Sequence, residues 1–231
     1  MSQQGAAPEL PCLEPIEARI LGALVEKQAT TPEAYPLTDN ALLLACNQKN
    51  NREPLTAFTV GELGHALRTM EARGWVRSVH GARAQRWEHR MAQAFSLTQR
   101  QQALLSVCLL RGPQTAQELA TRSERLADFD GPDAVRDTLD RMIQRDPALL
   151  ARLQRASGQR EDRYMHLLAG PVDALIAAHE QAAAAHSHDN TDRGQPRSPG
   201  ALEARVAALE AEVARLRALL EPDSSRDSTA D

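Results

Sequence analysis

Guanidinium groups are the side chains of this sequence best suited to chemistry with a partner. Arg68, Arg73, Arg77, Arg83, Arg86 and Arg90 fall between residues 59 and 90, against Glu62, Glu71 and Glu88, so that stretch carries +3. Residues 91–113 add +2. The whole chain of 231 residues carries −4, and its acidity lies largely at the ends: −3 over residues 1–58 and −5 over 171–231. A guanidinium fork matches phosphate, and the major-groove edge of guanine, with two parallel hydrogen bonds. Of 27 basic residues only Lys27 and Lys49 are lysines, leaving 25 arginines. A GC-rich genome also writes many arginines, so position is more informative than number.

A second polar concentration is Asn47-Gln48-Lys49-Asn50-Asn51-Arg52. Asn47, Gln48, Lys49, Asn51 and Arg52 could touch a nucleic-acid backbone or hold a partner peptide, since loops often carry function. They could equally supply polar partners to the last carbonyls of a preceding helix. Catalytic signatures are missing: the sequence has no Gly-rich phosphate loop, zincin motif or nucleophile elbow. His179, His186 and His188 are too loosely spaced for a metal site and read as a solvated stretch. No enzyme activity, metal or cofactor is expected. Cys12, Cys46 and Cys108 form no CxxC pair and read as buried free thiols of a reducing cytosol.

The elements that must position these residues are mostly helices. Ala, Leu, Arg, Glu and Gln dominate, all good helix formers. Hydrophobic residues make up 42%, enough for a core. Aromatics make up only 3%, which argues against a base-stacking sheet or an aromatic ligand pocket. A first helix is expected from Pro15 to about Gln28, and a second from about Thr38 to Gln48. Thr59 and Glu62 form a capping box that opens a third, stopped at Gly74. Trp75–Val79 and Arg86–His89 then read as two strands joined at His80-Gly81-Ala82-Arg83. Three helices and a hairpin make a winged helix-turn-helix pattern, in which the third helix reads a groove and the hairpin is the wing.

The pattern repeats. Leu13, Ile20, Leu21 and Val25 match Leu97, Leu104, Leu105 and Leu109 at an offset of 84. Leu63, Leu67 and Met70 match Val135, Leu139 and Met142 at 72, and Arg86-Trp87-Glu88-His89 matches Arg163-Tyr164-Met165-His166 at 77. Further capping boxes stand at Thr98/Gln101 and Thr115/Glu118, and the second hairpin turns at Ser157-Gly158-Gln159. His89 and His166 occupy matching wing positions, which suggests a shared packing or hydrogen-bonding role. The expected architecture is mainly α with small β-hairpin wings: a tail over 1–12, winged-helix units over 13–90 and 97–169, and a helix over 171–186. A linker over 187–200, a coiled coil over 201–220 and a disordered tail over 221–231 follow. The coil seam is Leu202, Val206, Leu209, Val213, Leu216 and Leu220, in alternating steps of four and three.

At Leu13-Glu14-Pro15-Ile16-Glu17-Ala18-Arg19 the sequence resembles the YceH-like family of uncharacterised bacterial proteins. The resemblance continues through Leu24-Val25-Glu26-Lys27-Gln28, Thr31-Pro32-Glu33, Tyr35-Pro36-Leu37-Thr38, Ala45-Cys46-Asn47-Gln48-Lys49 and Asn51-Arg52-Glu53-Pro54. It returns at Arg163-Tyr164-Met165-His166-Leu167-Leu168. It implies a tandem winged-helix fold, similar in architecture to transcription regulators, and supplies no activity, cofactor or binding residues.

Helical geometry refines the charged face. With Val60, Leu63, Leu67 and Met70 inward, His65, Thr69 and Ala72 point outward between Arg68 and Arg73. Glu62 lies near that face and would repel phosphate unless it caps the helix. In the second unit the equivalent face holds Asp137, Arg141 and Gln144, flanked by Asp133 and Asp140, and those carboxylates suit a protein partner better than phosphate. The expected protein is a cytoplasmic DNA-binding protein of the transcription-regulator type, with no membrane span. His65, Arg68, Thr69, Arg73, Arg77, Arg83 and Arg86 are the expected duplex DNA contacts. A homodimer through the coil would meet half-sites roughly 34 Å apart. The competing expectation is a protein-interaction scaffold that uses winged helices as packing modules.

Overall fold

The computed structural model describes residues 10, 12–80, 84–154, 161–170, 173–174 and 176–177. All of them belong to one compact unit. Arg83, the turn at Ser157-Gly158-Gln159, the linker, the coil seam, the C-terminal tail and all of the N-terminal tail but Leu10 and Cys12 lie outside the described residues. Of the helix expected over 171–186, only Asp173, Ala174, Ile176 and Ala177 are described, and they are helical.

The protein is a mixed α/β structure in which one order of elements occurs twice. The first set is α1 (Pro15–Thr30), β1 (Leu37–Thr38), α2 (Asp39–Cys46), α3 (Val60–Ala72), β2 (Val76–His80) and β3 (Gln85–His89). A short α4 (Met91–Phe95) leads to the second set: α5 (Gln99–Arg111), β4 (Gln114–Thr115), α6 (Ala116–Ser123), α7 (Pro132–Gln144), β5 (Leu150–Leu153) and β6 (Arg163–His166). Each set builds a three-stranded antiparallel sheet, in the order β1-β3-β2 and β4-β6-β5.

Local chemistry sets the boundaries. Pro15 occupies the first turn of α1, and the side chain of Glu17 accepts from Glu14 N at 2.9 Å, closing a capping box. The expected boxes at Thr59/Glu62, Thr98/Gln101 and Thr115/Glu118 all form. Thr38 caps α2 by accepting from Ala41 N at 3.3 Å. Gly74 follows α3 at φ +73, a left-handed conformation that costs other residues a clash at Cβ.

The strands β1 and β4 were not expected. Two residues are too few to show a period of two. Their pairing is nevertheless the same in each set: Leu37 faces Trp87 and Thr38 faces Arg86, while Gln114 faces Tyr164 and Thr115 faces Arg163. The repeat Pro36-Leu37-Thr38 and Pro113-Gln114-Thr115 was the available signal.

The offset pairs resolve as equivalent core positions: Leu13, Ile20, Leu21 and Val25, with Leu97, Leu104, Leu105 and Leu109, are all buried. So are Leu63, Leu67, Met70, Val135, Leu139 and Met142. The two sets share one continuous apolar core. Helix α1 meets α5 so closely that a Cβ on Gly22 would lie 2.7 Å from Leu110 Cγ. Two expectations fail. Val60 is 66% exposed, because it opens α3 beyond the core's edge, and Ala66 is buried in its place. Cys12 is exposed, whereas Cys46 and Cys108 are buried thiols that burial pushes up to about 12.

Candidate nucleic-acid interface

Helix α3 and the hairpin β2–β3 carry the arginines that motivated a nucleic-acid interface. The helix is fixed at both ends. Thr59 N donates to Glu62 Oε2 at 2.7 Å, and Glu62 N donates to Thr59 Oγ1 at 3.3 Å. The bond from Thr59 N, with a second from Thr59 Oγ1 to the same Oε2 at 2.7 Å, holds the Glu62 carboxyl below its usual range. Its charge therefore serves the helix N-terminus, the one place on α3 where an anion is favourable. At the other end Ser78 N donates to Glu71 Oε1 at 2.8 Å, tying α3 to β2 and lowering the Glu71 pKa.

Three of the expected DNA contacts are already engaged. Arg73 lies 3.7 Å from the buried Glu17 carboxylate and 4.8 Å from the centre of the Trp75 ring, where the cation is attracted to the aromatic face. Arg86 donates through Nη1 to Pro36 O at 2.8 Å and to Ala34 O at 3.4 Å. Its counterpart Arg163 donates to Pro113 O at 3.0 Å, so this arginine position joins a hairpin to the preceding loop in both sets. Arg77 pairs with Glu88 at 2.7 Å while remaining 57% exposed, a surface bond weak enough to exchange for a phosphate.

The free part of the surface is the α3 face itself. His65 and Arg68 are exposed, and Arg68 has no ion pair or hydrogen bond among the described residues. Thr69 is half-buried and turns its hydroxyl back to His65 O at 3.2 Å. Gly61 and Gly64 share this face at helical spacing with Arg68. A Cβ on Gly61 would meet only Thr59 Oγ1 at 4.0 Å, and one on Gly64 only Arg68 Nη1 at 3.5 Å. The interior of the protein therefore does not require either glycine. These two residues were missed in the sequence, although a glycine pair inside a helical pattern was a legible signal.

The polar loop after α2 serves mainly the fold. Asn47 donates through Nδ2 to Phe58 O at 2.8 Å and accepts from Phe58 N through Oδ1 at 2.9 Å, as a backbone strand would. Gln48 accepts from Lys27 Nζ at 3.2 Å and donates to Asn50 O at 3.1 Å. Asn51, at φ 60, accepts from Arg111. Arg52 corrects the expectation of a surface contact: its side chain is 0% exposed. It donates to both carboxylate oxygens of Glu26, at 3.1 and 2.6 Å, and to Ala45 O at 2.9 Å. Arg19, also buried, donates to Pro54 O at 2.6 Å and to Cys46 O at 3.4 Å. Desolvation lowers its pKa to about 10. The carbonyls at the end of α2 thus take two internal guanidinium groups, favourable for the negative end of a helix. Lys49 alone among the five singled-out loop residues is exposed without a side-chain partner among the described residues.

The family model described as "Protein of unknown function, DUF480" matches residues 13–159, and the chain belongs to that family. Its relatives are similar nearly end to end. A UPF0502 protein of Mesorhizobium japonicum is 50% identical over 213 residues, covering 92% of this chain and 97% of the relative. One from Stenotrophomonas maltophilia strain K279a is 50% identical over 218 residues, covering 94% and 100%. One from Pseudomonas syringae pv. tomato is 48% identical over 227 residues, covering 93% and 98%. These agree with the YceH-like resemblance. Among the described residues no helix is long and apolar enough to cross a membrane.

Proposed function

We propose that each repeat is a winged helix-turn-helix and that the first is a duplex DNA-binding module of the transcription-regulator type. One observation carries the reading: Gly61 and Gly64, not required by the core, share the exposed face of α3 with Arg68, which has no ion pair or hydrogen bond among the described residues, and a Cβ on Gly64 would lie 3.5 Å from Arg68 Nη1. A glycine inside a helix costs roughly 0.5–1 kcal/mol relative to alanine. Bare backbone on an exposed, basic face fits a site where a phosphate chain comes close to the helix. Arg68 and Arg77 then hold phosphate or read guanine, and Arg83 and Lys49 are offered as further phosphate contacts on sequence alone. Arg73 and Arg86 position the helix and the wing. The second repeat is the protein-facing half, because Asp133, Asp137 and Asp140 are exposed along α7. Dimerisation through Leu202, Val206, Leu209, Val213, Leu216 and Leu220 places two first repeats on one duplex.

Replacing both glycines separates function from fold. The Gly61→Ala/Gly64→Ala protein should unfold at a higher temperature, since each change removes roughly 0.4–1 kcal/mol of unfolded-state freedom. Its affinity for sheared genomic duplex DNA should fall at least about tenfold, the equivalent of about 1.4 kcal/mol. A stabilised variant with unchanged affinity would remove DNA from this face.

A further inference from the structure

A cleft of about 480 Å³ opens between the end of α1, the loop after α2, α5 and α6. Four cations line it: Lys27, Arg111, Arg122 and Arg125. Lys27, Arg111 and Arg122 stand on α1, α5 and α6, and Arg125 lies in the turn after α6, so both repeats contribute. The lining carboxylates are Glu26 and Glu124. Glu26 is already neutralised, by the bidentate bond from Arg52 and by Lys27 at 3.6 Å. Arg122 takes Glu118 at 3.2 Å, a half-exposed pair within one helix, which is weak. Arg125 is exposed and has no ion pair or hydrogen bond among the described residues. Between the cations the wall is mixed: Thr30, Gln48, Asn51 and Thr121 add polar atoms, and Val107, Leu110 and Leu126, all buried residues, supply an aliphatic patch.

The cations outnumber the lining carboxylates by four to two, and Glu26 is shared with Arg52. Arg111 is half withdrawn from solvent by the loop, where it donates to Asn51. Desolvation lowers its pKa, and the nearby Arg122 lowers it further, with Glu26 and Glu53 acting in the opposite direction. The fold thus keeps two guanidinium groups close on the wall of a concave site of ordinary ligand size. A doubly charged oxyanion would relieve that repulsion and accept from several donors at once. The aliphatic patch would cover an uncharged body attached to it.

We propose that this cleft binds a small organic phosphate, with Arg111, Arg122 and Arg125 on the phosphate and Val107, Leu110 and Leu126 against its organic part. The ligand joins the two repeats, because Lys27 and the loop belong to the first and the arginines to the second. The site is separate from the α3 face and does not depend on DNA binding there.

Thermal unfolding of the full-length protein tests this with inorganic pyrophosphate and adenosine 5′-monophosphate as probes, each against sodium chloride of equal ionic strength. At millimolar probe the melting temperature should rise by about 3 °C or more. In Arg125→Glu, an exposed change that leaves the packing intact, the rise should fall below about 1 °C. Arg122→Gln should reduce it as well. Gly61→Ala/Gly64→Ala should keep the full rise, which separates this site from the DNA face. No rise above the salt control with either probe, or an undiminished rise in Arg125→Glu, would overturn the proposal.

Discussion

Glu26→Gln should lower the stability of this protein by about 3–5 kcal/mol, the usual consequence of removing one member of a buried ion pair. The substitution preserves shape and leaves Arg52 with a formal charge and no counter-ion. Arg52 cannot escape to water: its side chain is 0% exposed and is held at 2.9 Å by Ala45 O as well as by Glu26. The loop from Asn47 to Phe58 hangs on this pair, because Arg52 anchors its middle while Asn47 closes its ends. For a chain of this size each kcal/mol lost lowers the melting temperature by roughly 2–4 °C, so a fall near 10 °C is expected in calorimetry. Arg77→Ala is the control. It breaks the exposed pair with Glu88 and should cost less than about 1 kcal/mol. If Glu26→Gln unfolds within 2 °C of the parent, the buried pair does not hold the loop.

Acid should destabilise the protein through His166. This ring is buried at the end of β6, and its Nδ1 has no hydrogen-bond partner among the described residues. Burial lowers its pKa from 6.5 to about 4. The folded state therefore resists protonation that the unfolded chain accepts. Stability from the neutral ring is complete above pH 6.5 and is lost as the pH falls from 6.5 towards 4. A shift of this size corresponds to about 3 kcal/mol. His89, at the matching position of β3, is shifted the same way by burial, also to about 4. It is half-buried and touches Gln28 at 2.7 Å, so its contribution is smaller. Urea unfolding at several pH values between 7 and 4 measures the effect by comparison with His166→Leu. The stability difference between parent and variant should change by about 3 kcal/mol over that range. Parallel curves would show that His166 is protonated in the folded protein.

The repeat was legible because cores repeat in residue type. Apolar positions at fixed offsets, Thr-x-x-Glu boxes and the aromatic pair Trp87 and Tyr164 are local features, and local features survive in a sequence. Trp87 and Tyr164 each stand in the middle strand of a sheet, facing Leu37 and Gln114, so two of the few aromatics serve architecture. The edge strands were hidden, since two residues have no period. Burial at an element's end was also hidden: Val60 has the right spacing for the core but lies one turn beyond it. Charge was the least legible property. Arg52, Arg68, Arg73 and Arg86 are the same residue type in the same composition, yet one is buried against Glu26 and one has no partner among the described residues. Two others bind Trp75 and backbone carbonyls. Which partner an arginine takes depends on residues far away in the chain, and no local pattern records that. The glycine pair on α3 was visible all along, but its meaning required knowing that nothing inside the protein needs it.

The central claim is that the first repeat binds duplex DNA through α3 and its wing. Binding of sheared genomic duplex by the purified protein, titrated with salt, tests it most directly, with Arg68→Glu/Arg83→Glu as the partner sample. The parent should bind at low salt with a steep loss of affinity as salt rises, and the double variant should bind more weakly with its log–log salt slope reduced by about 2. Identical isotherms for the two proteins, or no DNA retained by the parent at low salt, would contradict the account and favour a protein-interaction scaffold.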